Sequence, residues 1–109
     1  MNPTEIVTIL NENKARDISV LDIQGNNLAD FMIIATATSD VHLRTLSREV
    51  AKYGKSLMKQ KPNINGPSSS GWVLIDLDEI IVHVMLDEQR NFYALEKLWG
   101  EHNQTPTSA

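Results

Sequence analysis

Cysteine is absent from this chain, and its absence removes several kinds of chemistry at once. A disulfide framework, a thiolate metal site and a cysteine nucleophile are all excluded. Disulfides are rare in reducing compartments, so a chain without cysteine fits a protein of the cytosol. We therefore expect a cytoplasmic protein.

Long hydrophobic runs are also missing. The longest uninterrupted apolar segment is Phe31–Ala35, whereas a membrane-spanning helix needs about 20 such residues. The first ten residues contain Pro3 and Glu5 and lack the basic start and apolar run of a signal peptide. We expect neither a membrane segment nor a signal peptide.

The charge of the chain is unevenly distributed around a net value of −4. Residues 1–40 carry two bases against six acids, residues 41–61 six bases against one acid, and residues 62–109 two bases against seven acids. Phosphate contacts need clustered cations, so the middle segment alone is suited to nucleic acid. The acidic C-terminal third would suit a basic partner surface.

The length of 109 residues is enough for one domain with a modest core. We predict this domain over residues 1–102 and a small, polar, disordered tail over 103–109. Hydrophobic periodicity predicts the order α-β-β-α-β-β-α, and Asn63–Asn65 could add a short edge strand. The expected architecture is an α+β (α/β) fold, a mixed sheet of four to five strands with helices packed on it. The predicted elements are a helix at about Pro3–Lys14, strands at Ile18–Ile23 and Phe31–Thr36, a helix from Ser39 or Asp40 to about Gln60, strands at Trp72–Asp76 and Ile80–Leu86, and a helix from Asp87 to about Trp99.

The second predicted helix is amphipathic. Its apolar residues recur every three or four positions and fall on one arc: Leu43, Leu46, Val50, Tyr53 and Leu57. Five cations fall on the opposite arc and form what we call the basic stripe: Arg44, Arg48, Lys52, Lys55 and Lys59. Such a stripe is usually a solvated face opposite the core, and we favour that interpretation. A minor RNA contact is the alternative.

Several segments, in order along most of the chain, match the pattern of the Iojap family of ribosomal silencing factors. The C-terminal block is the most specific, with a strand ending in Val-His-Val, then acids, then Tyr-x-Leu-Glu-x-Leu-Trp. The matching segments are Asp17–Asp22, Leu28–Ala35, Thr36–Ser39 followed by His42, Gly71–Asp76, Ile80–Met85 and Tyr93–Gly100.

The resemblance to this family implies a nucleotidyltransferase-like fold without the catalytic apparatus. It also implies binding to the large ribosomal subunit through ribosomal protein fourteen on the intersubunit face. Such binding would sterically block joining of the small subunit and silence translation under nutrient limitation. Two other functions stay open: a degenerate nucleotidyltransferase, and a small RNA-binding module that uses the basic stripe. A homodimer of the free protein is also left open.

Asp76 and Asp78 resemble the paired carboxylates that bind Mg²⁺ in nucleotidyltransferases, with Asp22 as a candidate third acid. That chemistry also needs a Gly-Ser loop for the triphosphate, and no such loop precedes a strand in the required way. Asp76 and Asp78 flank a hairpin tip, where aspartate is a common turn residue, so we favour a turn. We expect no enzyme, no catalytic residue, no metal and no cofactor.

The histidines lack metal-ligand spacing. His83 lies inside an apolar strand and points to the face opposite Val82 and Val84, which favours a structural histidine over a catalytic base. His42 is expected on the surface, in the first turn of the second helix. Free N–H groups at that helix start could hold an anion, but Ser39 or Asp40 is more simply a cap.

The last predicted helix suggests a docking surface. Phe92 belongs to its core-facing arc, and Tyr93 lies about 100° away around the axis, on another face. An outward tyrosine among charged neighbours resembles an interface hot spot. Trp72 opens a strand at the end of the sheet. With the family resemblance, these features predict a partner-binding surface made of Trp72, Tyr93, Glu96 and Lys97.

Overall fold

The computed structural model describes residues 1–25, 29–58, 61–65, 71–88 and 104–107. Within them the element order is α1-β1-β2-α2-β3-β4-β5-β6. The α+β fold predicted from the sequence is confirmed, and the nucleotidyltransferase likeness stays a prediction. The elements are α1 (Pro3–Glu12), β1 (Arg16–Asp22), β2 (Phe31–Ala37), α2 (Asp40–Leu57), β3 (Asn63–Asn65), β4 (Trp72–Asp76), β5 (Ile80–Leu86) and β6 (Gln104–Thr107).

The strands form one mixed sheet in the order β3-β4-β5-β2-β1-β6. The central strand, β2, pairs in parallel with β5 and antiparallel with β1. β4 and β5 form the predicted antiparallel hairpin. The short edge strand β3 is also confirmed, and it pairs antiparallel with β4.

The disordered tail predicted over 103–109 is wrong for residues 104–107. These residues form β6 and pair antiparallel with β1, in a register that joins Leu21 to Gln104 and Ile18 to Thr107. The prediction rested on small polar side chains, whereas β6 is held through its backbone. An unpaired edge of β1 would leave N–H and C=O groups open, and an antiparallel segment satisfies them. Pro106 is compatible with this place because β6 is itself an edge strand.

Apolar side chains are buried on both faces of the sheet, as predicted for a covered central strand. On the face covered by α1 and α2, which we call the helix face, Ile33 and Leu46 belong to one buried cluster. On the opposite face, which we call the second face, Ile34 and Met85 belong to another buried cluster. Ile33 and Ile34 are both fully buried, and each such side chain contributes about 1.5–3 kcal/mol to folding.

Helix α2 begins at a serine cap, as predicted. The Ser39 hydroxyl accepts a hydrogen bond from the backbone N–H of His42 at 3.1 Å, and Asp40 places a negative charge in the first turn, where the helix dipole favours it. An anion-binding role for this helix start gains no support, since the serine oxygen is used and Asp40 would repel an anion.

The apolar arc of α2 is shorter than predicted. Leu43, Leu46 and Val50 are fully buried, but Leu57 is 54% exposed, so its assignment to the core is wrong. The last buried residue of the helix is Gly54, and Leu57 lies almost one turn beyond it. The helix therefore ends past the part of the sheet that it covers.

Gly54 marks a close approach of α2 to the β4–β5 hairpin. A Cβ atom at this position would overlap Leu77 Cδ2 and would lie 3.2 Å from Pro62 Cγ. Leu77 is fully buried and has little room to move. Glycine has a lower helix propensity than alanine, by about 1 kcal/mol. Because it has no Cβ atom, Leu77 can pack directly against the helix.

Gly54→Ala should destabilise the protein by about 1–3 kcal/mol, because the overlap with Leu77 outweighs the gain in helix propensity. Urea unfolding measures the change. In a Leu77→Ala background the same substitution should become neutral or stabilising, which gives a coupling energy of at least about 1 kcal/mol. A Gly54→Ala protein that is more stable than the wild type would show that Leu77 yields freely.

Candidate functional site

The two aspartates that resemble a metal pair build the turn between β4 and β5. Asp76 Oδ1 accepts a hydrogen bond from the backbone N–H of Asp78 at 2.8 Å. Asp78 has a φ of 72°, a conformation that aspartate tolerates better than most residues. The N–H of Leu77 donates to the carbonyl of Ile80 at 2.9 Å and closes the turn. The predicted turn role is confirmed.

Asp22 cannot complete a metal site with these residues. It lies on β1, three strand spacings from β4 in the sheet, which corresponds to about 14 Å. Mg²⁺ needs its oxygen ligands at roughly 2.1 Å. Asp22 Oδ1 also accepts the backbone N–H of Gln24 at 3.0 Å. Among the described residues, no three histidine or acidic side chains lie close enough together to hold a metal ion.

Trp72 is the first residue of β4 and pairs with Met85 of β5. It is half-buried and packs against the apolar cluster of the second face. The prediction that it lies at an end of the sheet is confirmed. Asp87 and Glu88 follow β5 directly at the same end and are exposed, and exposed Arg16 lines a cavity with them.

Trp72 is hydrogen-bonded to His83. Its indole N–H donates to His83 Nδ1 at 3.0 Å, and the two rings are tilted by 47° with centroids 5.7 Å apart. His83 is 5% exposed and lies on β5, facing away from Val82 and Val84 as predicted. Because Nδ1 accepts a hydrogen bond, the neutral ring carries its proton on Nε2. The structural role predicted for His83 is confirmed.

Burial lowers the pKa of His83 from 6.5 to about 4. The imidazole is therefore uncharged at neutral pH, and its Nδ1 lone pair stays available to Trp72. Protonation at Nδ1 would replace the acceptor with a second donor and break the bond. The sequence pattern predicts a place for each residue separately and does not reveal the hydrogen bond between them. The hairpin register brings the two side chains together, because it puts Trp72, Leu74 and His83 on one face of neighbouring strands.

His42 is not the surface residue that we expected. It is half-buried and joins the two helices. The backbone N–H of Thr38 donates to His42 Nδ1 at 2.9 Å, so Nε2 carries the proton and donates to the carbonyl of Asn13 at 2.7 Å. His42 thus connects the end of α1 to the turn before α2. His42 and Asn13 are 29 positions apart, so no local sequence pattern indicates this contact.

The other members of the predicted docking surface, Tyr93, Glu96 and Lys97, lie outside the described residues, as does most of the last predicted helix. In the described chain, residues 87 and 88 are helical, which agrees with the predicted start of that helix at Asp87. Trp72 is therefore the one member of the surface that the structure places.

The basic stripe of α2 is exposed where it is described. Arg44, Arg48, Lys52 and Lys55 all face solvent, and Lys59 lies outside the described residues. Arg48 is 3.8 Å from the carboxylate of Glu49, and the two side chains are 69% and 33% exposed. Such an exposed pair contributes little to stability. The stripe projects from the helix face, whereas Trp72 lies on the second face.

The structure is a small α+β protein in which the aspartates that resemble metal ligands form turns and the side chain of Trp72 is hydrogen-bonded to His83 at one end of the sheet. No helix in the described part of the chain is long and apolar enough to cross a bilayer. Comparison with known proteins identifies the family. Residues 2–109 match the family model described as "Ribosomal silencing factor during starvation", and the chain belongs to this family.

Individual relatives agree with the family match. The ribosomal silencing factor RsfS of Bacillus subtilis is 34% identical over 93% of this chain and 90% of its own length. The mouse protein named "Mitochondrial assembly of ribosomal large subunit protein 1" is 33% identical over 86% of this chain and 43% of its own length. A crystal structure of a Chromobacterium violaceum protein superposes with a TM-score of 0.82 at 33% identity, covering 100% of this chain and 93% of the other. The resemblance to the Iojap family is confirmed.

The stability of the protein should fall as the pH is lowered from about 6.5 to about 4. His83 is protonated in the unfolded chain below its ordinary pKa of 6.5, whereas the folded protein keeps it neutral down to about 4. The unfolded state therefore binds more protons in this window, and the free energy of unfolding should decrease by up to about 3 kcal/mol. Urea unfolding at pH 7 and pH 4.5 measures the difference.

A His83→Asn protein is the control, because it lacks this titrating group and keeps every carboxylate of the wild type. Its free energy of unfolding should decrease less over the same pH range. Equal losses in the two proteins would mean that His83 is not held neutral by burial.

Proposed function

We propose that this protein is a translational repressor that binds the large ribosomal subunit. Membership of the ribosomal silencing family is the observation that carries the proposal. The names of the relatives point the same way: one is a ribosomal silencing factor, and another is named for assembly of the large ribosomal subunit.

The proposed mode of action is steric. The protein would bind ribosomal protein fourteen on the intersubunit face, block joining of the small subunit and so silence translation when nutrients are limiting. Family resemblance is the basis for this partner and this mode. Exposed acids lie near both ends of the β4–β5 hairpin: Asp78 and Glu79 at the tip, and Asp87 and Glu88 at the other end. These acids suit a basic ribosomal surface.

The proposed docking surface is made of Trp72, Tyr93, Glu96 and Lys97. Tryptophan is a frequent interface hot spot because it buries a large area and can also donate a hydrogen bond. Trp72 is half-buried and already fixed by His83. A partner therefore has less side-chain entropy to remove when it binds.

No catalytic step is part of this proposal. The family names describe a regulatory factor of the ribosome, and two carboxylates of the alternative enzyme site, those of Asp22 and Asp76, accept backbone hydrogen bonds within turns. The proposal needs no cofactor and no metal, and it places the protein in the cytoplasm. It works equally for a monomer and for a homodimer that dissociates on the ribosome.

Sedimentation with separated ribosomal subunits tests the proposal. The protein should pellet with free large subunits and stay in the supernatant with small subunits. Trp72→Ala should weaken large-subunit binding by about 2 kcal/mol, the usual threshold for a hot spot. Tyr93→Ala should do the same if Tyr93 shares the surface.

Ile64→Ala is the matched control, because Ile64 is a large apolar residue, 49% exposed, on the neighbouring edge strand β3, where it pairs with Ile75 of the helix face, opposite the face of Trp72. Its binding should equal that of the wild type. Equal pelleting with both subunits, or with neither, would refute the silencing function. Unchanged binding by Trp72→Ala would refute the surface alone.

An additional contact with ribosomal RNA is the second candidate, because four cations of the basic stripe are exposed. Their position argues for a solvated face instead. The stripe and Trp72 lie on opposite sides of the sheet, so a flat partner docked on Trp72 would leave the stripe pointing away from it.

Reversing charge in the stripe with Arg48→Glu and Lys52→Glu should change large-subunit binding little. The salt dependence of binding should also stay nearly constant, since each lost phosphate contact lowers the slope of log affinity against log salt by about one unit. Binding titrations at several salt concentrations measure this slope. A fall of about two units would instead establish an RNA contact through α2.

A further inference from the structure

His83 is an unusual residue for its position. The residues directly opposite it on the second face are apolar, Leu74 on β4 and Ile34 on β2, and Met85 belongs to the same buried cluster. Buried Ser19 and Thr36 add two hydroxyl groups to an otherwise apolar face. A polar ring costs free energy when it is taken from water into such surroundings. A leucine of similar size would bury more apolar surface there. Stability alone therefore does not favour histidine.

What the imidazole supplies at this place is an acceptor for Trp72. The indole N–H has one proton to donate, and it donates to His83 Nδ1 at 3.0 Å. Trp72 stands at the end of β4 and is half-buried, so the contacts of its ring with the sheet are fewer than those of a core residue. The hydrogen bond to buried His83 restricts rotation about the side-chain torsions of Trp72 and so fixes the orientation of the indole ring.

We propose that His83 is a positioning residue for partner binding, which holds the indole of Trp72 in the orientation that the ribosomal partner meets. The inference rests on the proposed function, in which Trp72 belongs to the docking surface. His83 does not touch the partner, since it is 5% exposed, and it acts through Trp72.

The frame behind His83 is rigid enough for this role. β5 lies between β4 and β2 in the interior of the sheet, and its residues are paired on both sides. The imidazole is therefore fixed relative to the whole sheet. Its hydrogen bond in turn restrains the side chain of Trp72 at the end of the sheet. Functional side chains held by strands and supporting hydrogen bonds keep more accurate geometry than those on loops.

Two substitutions of His83 separate positioning from stability. In His83→Asn, the amide oxygen stands as far from Cβ as the Nδ1 atom of histidine, so an acceptor for Trp72 remains. In His83→Leu, the acceptor is lost while the apolar volume is kept. Asparagine is the worse residue for an apolar cluster, so the two variants should rank in opposite orders for stability and for binding.

Each variant is measured for unfolding in urea and for binding to purified large subunits, with Trp72→Ala beside them. We expect His83→Leu to be the more stable variant and yet to bind roughly three- to tenfold more weakly than His83→Asn, which corresponds to the cost of ordering one side chain at an interface. The indole N–H resonance of Trp72, assigned by its loss in Trp72→Phe, should stay near its wild-type position in His83→Asn and should shift in His83→Leu.

The outcomes distinguish this inference from the function on which it rests. If Trp72→Ala weakens binding while the two His83 variants bind equally, or in the order of their stabilities, the positioning role is refuted and the docking surface stands. If Trp72→Ala binds like the wild type, the surface and the positioning role are both refuted. If the wild type does not bind large subunits, the proposed function fails, and the positioning role fails with it.

Discussion

The turn between β4 and β5 sets the register on which the candidate site depends. Asp76 accepts the N–H of Asp78, and Asp78 adopts a positive φ that reverses the chain within a few residues. The resulting register pairs Trp72 with Met85 and Leu74 with His83. A slip of one residue would turn the side chains of β4 to the opposite face, and it would move Trp72 away from His83. The aspartates that look catalytic in the sequence thus organise the aromatic site at the other end of the hairpin.

Much of the fold could be predicted because its signals are local. β2 is apolar at successive positions, which indicates burial on both faces, and Ile33 and Ile34 are fully buried on opposite faces. The start of α2 follows from a capping serine, and the β4–β5 hairpin follows from two apolar runs around Asp78. Strand β6 could not be predicted in this way, since its pairing with β1 depends on an open edge far away in the sequence. The exposure of Leu57 likewise depends on where the sheet ends.

The candidate site was predictable in part. Its position at a sheet end follows from Trp72 being the first residue of a strand, and the inward direction of His83 follows from the alternation of side chains along β5. Their hydrogen bond requires the register and both side-chain orientations, which no pattern in the sequence specifies. The bridge from His42 to Asn13 is equally invisible, because it depends on how α1 and α2 pack. Both histidines gain their roles from tertiary contacts between elements.

The sheet separates the basic stripe from Trp72. The basic stripe projects outward from α2 on the helix face, while Trp72 lies on the second face at an end of the sheet where Asp87 and Glu88 are exposed. A basic partner would be attracted to Asp87 and Glu88 and repelled by the stripe, because like charges across an interface oppose association. If docking occurs at Trp72, this arrangement favours one orientation of the protein on its partner. The α1–α2 layer would then project away from the partner to which Trp72 is docked. In that position it could sterically exclude another large molecule without contributing to the affinity for the partner.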